Sequence, residues 1–172
     1  MSKIVQPINF KKWVDDNRHL LRPPVSNKVV WEDASMIIMV VGGPNSRKDY
    51  HYNETPEFFY QVEGDMILKI KNGDKFEDVS IKEGEIYLLP PKVPHSPQRF
   101  ADTIGLVVEQ KRDPHHTDAM QWYCENCSNM IHRATFNMKN IVTELPPVMK
   151  SFFADENLRT CNECGTVMQA PN

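Results

Sequence analysis

Between residues 29 and 110 the apolar residues come in short runs, the longest of them only the six from Met36 to Val41. The best of these runs are 29–31, 36–41, 58–62, 66–70, 86–89 and 104–108. They are rich in Val, Ile and aromatic residues, too short for helices, and separated by glycine, proline and charged turns. Asn72-Gly73 adds a hairpin signal between 66–70 and a further strand over 76–81. Thirteen prolines against seven glycines stiffen the connections. This pattern predicts an all-β fold, a small sandwich or barrel.

The flanks differ from this middle. Residues 8–21 predict a helix with Ile8, Trp13, Leu20 and Leu21 on its apolar face, closed by Arg22-Pro23-Pro24. After Pro114 the strand pattern fades. Residues 116–172 hold all four cysteines, a Leu145-Pro146-Pro147 breaker and a short helix expected over 148–153. The expected division is therefore 1–115, the barrel with its N-terminal helix, and 116–172, a C-terminal segment. A six-residue apolar run is too short to span a membrane, and Met1 to Gln6 shows no apolar leader. The chain accordingly reads as cytoplasmic. A net charge of −3 with no basic run argues against a nucleic-acid partner. In the C-terminal segment Arg133, Lys139, Lys150 and Arg159 are outnumbered by carboxylates, unlike a nucleic-acid-binding ribbon.

Two blocks carry chemistry. In the first, His51 precedes Glu57 by six residues, and Gly64 follows seven later. In the second, Gly84 is followed by Pro90 and then by His95 inside Pro90-Pro91-Lys92-Val93-Pro94-His95-Ser96-Pro97. The pair resembles the two motifs of the cupin superfamily, a small double-stranded β-barrel or jelly roll holding a metal in its mouth. Asn53 stands where that pattern has its second histidine, Lys92 replaces a glycine, and Arg99 replaces an asparagine. The ligands left are His51, Glu57 and His95. Two imidazoles and one carboxylate on one face of an ion leave positions open, which suits non-haem Fe(II) and dioxygen. His19, His132 and the His115-His116 pair lack such context and read as structural or surface residues.

Three further charges do not suit a bland barrel. Glu109 ends the run 104–108, where a buried carboxylate needs a partner. Arg47 lies four residues before His51, and Arg99 four after His95. Guanidinium groups on both sides of a metal mouth point to a substrate that carries a carboxylate.

Here the resemblance narrows to a family. Asp49-Tyr50-His51 through Glu57-Phe58-Phe59-Tyr60-Gln61 and Leu88-Leu89-Pro90 through Pro94-His95-Ser96-Pro97 are similar to the 3-hydroxyanthranilate 3,4-dioxygenases. So are Arg99 to Thr103, Val107-Val108-Glu109-Gln110, Pro23 to Asn27 and Val41 to Asn45. The resemblance implies iron ligands at His51, Glu57 and His95. It implies that Arg99 receives the substrate carboxylate, that Glu109 meets the amino and hydroxyl groups and takes a proton, and that Arg47 lies near the oxygen site. It also implies that Glu57, Asn27 and Pro97 border a small aromatic substrate derived from an amino acid. The implied reaction joins 3-hydroxyanthranilate and O2 into 2-amino-3-carboxymuconate semialdehyde, on the way to quinolinate, in NAD synthesis or in tryptophan and aromatic degradation through the kynurenine pathway. The alternatives are another cupin dioxygenase acting on a small acid or thiol, a sugar isomerase, or a ligand sensor without catalysis. Arg47, Arg99 and Glu109 as a set favour the ring-opening enzyme.

The C-terminal segment contains Cys124-Glu125-Asn126-Cys127 and Cys161-Asn162-Glu163-Cys164, with residues 128–160 between them. A two-residue gap turns both thiolates of a pair towards one ion, and two pairs complete a four-sulfur shell. A cytosolic chain disfavours disulfides, and for the same reason the sequons at Asn53 and Asn126 are discounted. The expectation is a structural metal at Cys124, Cys127, Cys161 and Cys164, iron or zinc, rubredoxin-like. The family resemblance adds a homodimer.

Overall fold

The structure, a computed structural model, describes residues 4–23, 26–32, 34–138 and 141–171. Of the residues named above, Met1 to Lys3, Pro24, Val25 and Lys139 lie outside these. The described residues are mostly β-structure, in two antiparallel sheets. The first sheet has β1 (Asn27–Val29), β2 (Met36–Gly42), β9 (Ile104–Gln110), β4 (Glu57–Glu63) and β7 (Ile86–Leu89), in that spatial order. The second has β11 (Met130–Phe136), β10 (Asp118–Tyr123), β3 (Asp49–Tyr52), β8 (His95–Arg99), β5 (Met66–Asn72) and β6 (Lys75–Ile81). Neighbours in the sheets are often far apart in the chain, as β9 between β2 and β4 shows. The all-β expectation holds, with the cupin arrangement of two facing sheets.

Alternation along the strands builds the interior. Met39 and Val107 from the first sheet meet Met66, Leu68 and Ile70 from the second, with Phe59, Ile81 and Leu89 completing the cluster. Each fully buried apolar side chain of this kind contributes about 1.5–3 kcal/mol.

The hairpin between β5 and β6 turns through Gly73-Asp74, one residue later than the Asn72-Gly73 signal, with Asn72 paired to Lys75 and Gly73 at φ +58°.

Some boundaries differ from the sequence reading. The N-terminal helix α1 covers Phe10–Asn17, capped by the Asn9 side chain, which accepts from the Lys12 amide at 2.9 Å. A 3-10 turn over Arg18–Leu20 follows. Ile8 precedes the cap and is exposed; Phe10, Trp13, Val14 and Leu21 are the residues that pack on Val40 and Ile104. The first strand begins two residues earlier than expected, at Asn27.

β3 and β8, which carry His51 and His95, were not among the expected strands, and further differences lie beyond Pro114. β10 and β11 were not expected, and they continue the second sheet from β3. The helix expected over 148–153 is longer: α2 covers Ile141–Ala154 and includes Pro146 and Pro147. The two prolines fall in its second turn, past the four amides that lack partners in any helix, so two intrahelical hydrogen bonds are lost. Packing compensates. Leu145 and Phe152 join Met120, Trp122, Met138 and Met168 in a separate small core, where the rings of Trp122 and Phe152 stack at 4.1 Å. His132 stacks on Phe152 there, as a structural residue. A last helical turn, α3 (Glu156–Arg159), leads to the second cysteine pair.

Candidate active site

One cavity of about 370 Å³ opens between the sheets. Asn27, Arg47, His51, Glu57, His95, Pro97, Arg99 and Glu109, the eight residues singled out in the barrel, all line it. They come from five strands and one loop, so the topology, and not chain proximity, gathers them. On β4 and β9 the inward positions face each other as three rungs: Glu57 opposite Glu109, Phe59 opposite Val107, and Gln61 opposite Gly105. The charged rung lies at one end of the floor and the apolar rung in the middle.

His51 and His95 are opposed across β3 and β8, and one ligand atom from each, with one from Glu57, lies within 4.8 Å of the others. All three residues are buried. Each ring has one nitrogen already engaged: His51 Nε2 lies 2.9 Å from Asp118 Oδ1, and His95 Nδ1 lies 3.0 Å from the Val93 carbonyl. The other nitrogen of each ring is left for an ion. His95 Nε2 stands 3.0 Å from Glu57 Oε2, and two neighbouring ligands about 2.1 Å from an octahedral ion would be about 3.0 Å apart. Burial keeps His51 below its ordinary value, hence neutral, as a metal ligand must be. Burial works the same way on His95, but the Glu57 carboxylate overrides it and holds His95 above its ordinary value. The proton shared by that pair is the one an ion displaces. The donor set therefore fits a divalent metal.

Asn53, at the position of the missing cupin histidine, is committed elsewhere. Its amide donates to the Thr55 carbonyl at 2.9 Å and accepts from Arg112 Nη2 at 3.1 Å. Arg112 organises this corner. It donates through Nε to Asp118, at 3.0 Å to the nearer oxygen, and through Nη2 to Glu109 at 2.7 Å. Nη1 donates to the Gln110 carbonyl and to Thr55 Oγ1. Every N–H of the guanidinium has a partner, and the side chain is 1% exposed. Arg112 is the partner that a buried Glu109 required. Burial, reinforced by the nearby Glu57 charge, still pushes Glu109 up to about 7 against the pull of Arg112.

The two cavity arginines differ. Arg47 is paired with the buried Asp49 through Nε, 3.0 Å, and Nη2. Its loop is fixed by Gln98, which accepts from the Arg47 amide and donates to its carbonyl. Arg99 is buried with no carboxylate bonded to it: Nη1 donates to Gln61 Oε1 at 3.0 Å, and Nε has no partner. Burial lowers its value to about 10. A desolvated cation facing a cavity is costly until an anion arrives.

Arg112, Asp118, Asp49 and Gln61 were missed in the sequence, as were Leu145, Pro146 and Met149 of α2, which close one wall of the cavity. Arg112 had a faint signal, three residues after a strand-end glutamate that needed a cation. Asp118 had none, because β10 itself was not legible.

The second constellation also assembles. Cys124 Sγ lies 3.5 Å from Cys164 Sγ, and Cys127 Sγ 3.5 Å from Cys161 Sγ. These are too far apart for disulfides and close to the roughly 3.8 Å between sulfurs on one tetrahedral ion. The two loops repeat one backbone pattern: Ser128 donates to the Cys124 carbonyl and Gly165 to that of Cys161, both with positive φ. Four thiols fit one metal. A third grouping, Asp113 with His115 and His116, sits on the surface turn before β10 and stays apart from both sites.

Two facing antiparallel sheets with a buried two-histidine, one-carboxylate set in the cavity between them make this a cupin-type barrel able to hold a metal. The sequence model of the family described as 3-hydroxyanthranilic acid dioxygenase matches residues 1–153. A 3-hydroxyanthranilate 3,4-dioxygenase of Xanthomonas campestris pv. campestris (strain 8004) is 53% identical over 168 residues, 98% of this chain and 95% of its own. One from Jannaschia sp. (strain CCS1) is 56% identical over 160 residues, 92% of this chain and 89% of its own. Among solved structures, a cupin-2 domain protein from Shewanella frigidimarina NCIMB 400 is 21% identical and covers 61% of this chain and 94% of its own, with a TM-score of 0.47. The chain belongs to the 3-hydroxyanthranilic acid dioxygenase family.

Proposed function

We infer that this chain is a dioxygenase that opens the ring of 3-hydroxyanthranilate with O2, giving 2-amino-3-carboxymuconate semialdehyde. The observation that carries the reading is Arg99, a buried guanidinium without a carboxylate partner, facing a two-histidine, one-carboxylate set and Glu109 across one cavity. Fe(II) held by His51, Glu57 and His95 would supply open positions where substrate and dioxygen meet.

The chain's own residues do the rest. Arg99 receives the substrate carboxylate and sets one end of the ring. Phe59, Val107 and Met39 flank the ring with apolar surface. That leaves the hydroxyl and amino edge towards Glu109, whose oxygen bonded to Arg112 is fixed, so the other is available to take the phenolic proton. Arg47, held by Asp49, keeps a positive charge beside the ion site where negative charge develops on oxygen. Asn27 and Pro97 border the bound ring. Leu145, Pro146 and Met149 exclude water from above it. A pathway position before quinolinate, in NAD synthesis or in tryptophan degradation, follows from the product.

The same reading treats residues 116–172 as an appendage stabilised by iron or zinc on the four cysteines, with β10 joining it to the barrel. It includes a cytoplasmic homodimer, and sedimentation of the metal-loaded protein tests the dimer. No helix among the described residues is long and apolar enough to cross a membrane.

The decisive test is anaerobic loading with Fe(II), then oxygen together with 3-hydroxyanthranilate, while following oxygen uptake and the ring-opened chromophore. Stoichiometric uptake is expected; no uptake by the loaded protein refutes the reading.

A further inference from the structure

The third rung of the cavity floor pairs Gln61 with Gly105, an amide opposite no side chain at all. Glycine in the interior of a strand is unfavourable unless something needs the room. The backbone does not need it: among the described glycines with positive φ are Gly64, Gly73, Gly84 and Gly165, and Gly105 is not one of them. Gly105 is paired on both sides, with Val41 of β2 and Gln61 of β4. What uses the room is a guanidinium. A Cβ on Gly105 would lie 2.5 Å from Arg99 Nη1, 2.8 Å from Arg99 Nη2 and 2.7 Å from Gln61 Oε1. Arg99 therefore lies across the bare backbone of β9, with Nη1 hydrogen-bonded to Gln61 at 3.0 Å. Its own backbone is tied to Asn45 by two 2.9 Å bonds, so Arg99 cannot retreat by sliding its strand.

We propose that Gly105 is a positioning residue that determines specificity. Having no side chain, it creates with Gln61 the slot that sets how deep in the cavity Arg99 receives a carboxylate. The inference rests on the reading of Arg99 as the carboxylate site. The depth matters because the far edge of the same ring must meet Glu109 and the ligand set two rungs away. A guanidinium pushed forward by one methyl group misplaces that edge, and an error of about 1 Å there is costly for the reaction. A methyl group at 105 meets the ends of two side chains and not backbone, so the guanidinium moves while the strand keeps its pairing. The consequence falls on substrates that carry the carboxylate.

The test compares the Fe(II)-loaded wild type and Gly105→Ala on two substrates, 3-hydroxyanthranilate and 2-aminophenol, which is the same ring without the carboxylate. The ratio of their kcat/KM values should fall about tenfold or more in the variant, through kcat for the acid as well as through its KM. Equal losses on both substrates, or no loss on either, overturn the inference. Gln61→Glu perturbs the same slot without touching β9, by placing a carboxylate against Arg99 as an internal rival. The same selective fall is expected, and an unchanged ratio overturns the inference; should Gly105→Ala not fold, this variant decides. Calorimetric binding of anthranilate separates the two readings. If the wild type binds anthranilate no better than aniline, the Arg99 reading falls. If it binds anthranilate well and Gly105→Ala binds it equally well, the role of Gly105 alone falls.

Discussion

His51 Nε2 and Asp118 Oδ1 lie 2.9 Å apart, with neither side chain more than 4% exposed. The carboxylate fixes which imidazole nitrogen carries the proton and leaves the other free for an ion. Asp118 is itself held by Arg112, which also holds Glu109, so one guanidinium supports both the ligand set and the proposed proton acceptor. Asp118→Asn keeps the size of the side chain and removes its charge. Affinity of the barrel site for Fe(II) should fall about 10–100-fold, measured anaerobically by competition with a chromophoric chelator. Unchanged affinity would show that the pair is only packing.

Asn53, at the position of the missing cupin histidine, is bonded to Arg112 and Thr55 and so does not stand in for a lost ligand. His51→Ala, Glu57→Ala and His95→Ala should each abolish both barrel iron and turnover. Metal analysis with the cysteine site intact is the check, and full activity with normal iron in any one of them would sink the assignment.

Arg99→Ala removes the cation without touching the ligand set. Iron content should stay normal while substrate binding weakens by about 1.5–3 kcal/mol, the usual value for a hydrogen bond to a charged group. The methyl ester of the substrate should bind wild type poorly and lose little more in the variant. If acid and ester lose affinity equally, the carboxylate is held elsewhere. Glu109→Gln should show the opposite pattern, with kcat down about 100-fold or more and KM little changed.

Part of this site was legible because the motif offsets marked His51, Glu57 and His95, and because Glu57 and Glu109 border apolar runs that read as strands. β3 and β8, which carry His51, His95 and Arg99, have no such run and were not expected. Glu109 ends such a run, so its burial and its need for a partner followed from the sequence. The identity of the partner did not. Arg112 lies past the strand end, and its bonds reach Asn53 and Thr55 on the β3–β4 turn and Asp118 on β10, contacts that only the folded topology creates. β10 was hidden because all six of its residues are buried, Asp118 and Gln121 among them, so no alternation of apolar and polar residues marks it. α2 was cut short because prolines past the first turn of a helix cost about 3 kcal/mol each, a cost that here is offset by the burial of Leu145 and Phe152, which the local sequence does not show.

Outside the cavity, Arg18 donates to both Glu63 oxygens, at 2.6 and 2.8 Å, and ties the turn after α1 to β4. That bond holds the Glu63 carboxyl below its ordinary value. The contribution to stability is therefore complete above about pH 5 and is lost as pH falls through the lowered folded value. Both side chains are more than a third exposed, so solvent screening limits the pair to about 1 kcal/mol or less. The Tm difference between wild type and Glu63→Gln should be largest near neutral pH and shrink towards about pH 3; a difference independent of pH would rule out the charge as its cause.

The four-cysteine site should be structural. Four thiolates fill a tetrahedral ion and leave no position for dioxygen or substrate. The site also lies where folding energy is needed, because it clamps the loop after β10 to the loop after α3. The elements that lead into those loops supply the small core of Trp122, Leu145 and Phe152, and a core of that size is helped by a metal clamp. α2 belongs to that core and closes one cavity wall with Leu145, Pro146 and Met149. Loosening the clamp should thus reach the cavity through the packing of α2 and through β10, which carries Asp118. Cys124→Ser combined with Cys161→Ser should lower Tm and dimer content, raise KM modestly, and leave substantial turnover per barrel iron. A folded, iron-loaded, dimeric double variant with no turnover would instead give the sulfur-bound metal a part in electron transfer or catalysis.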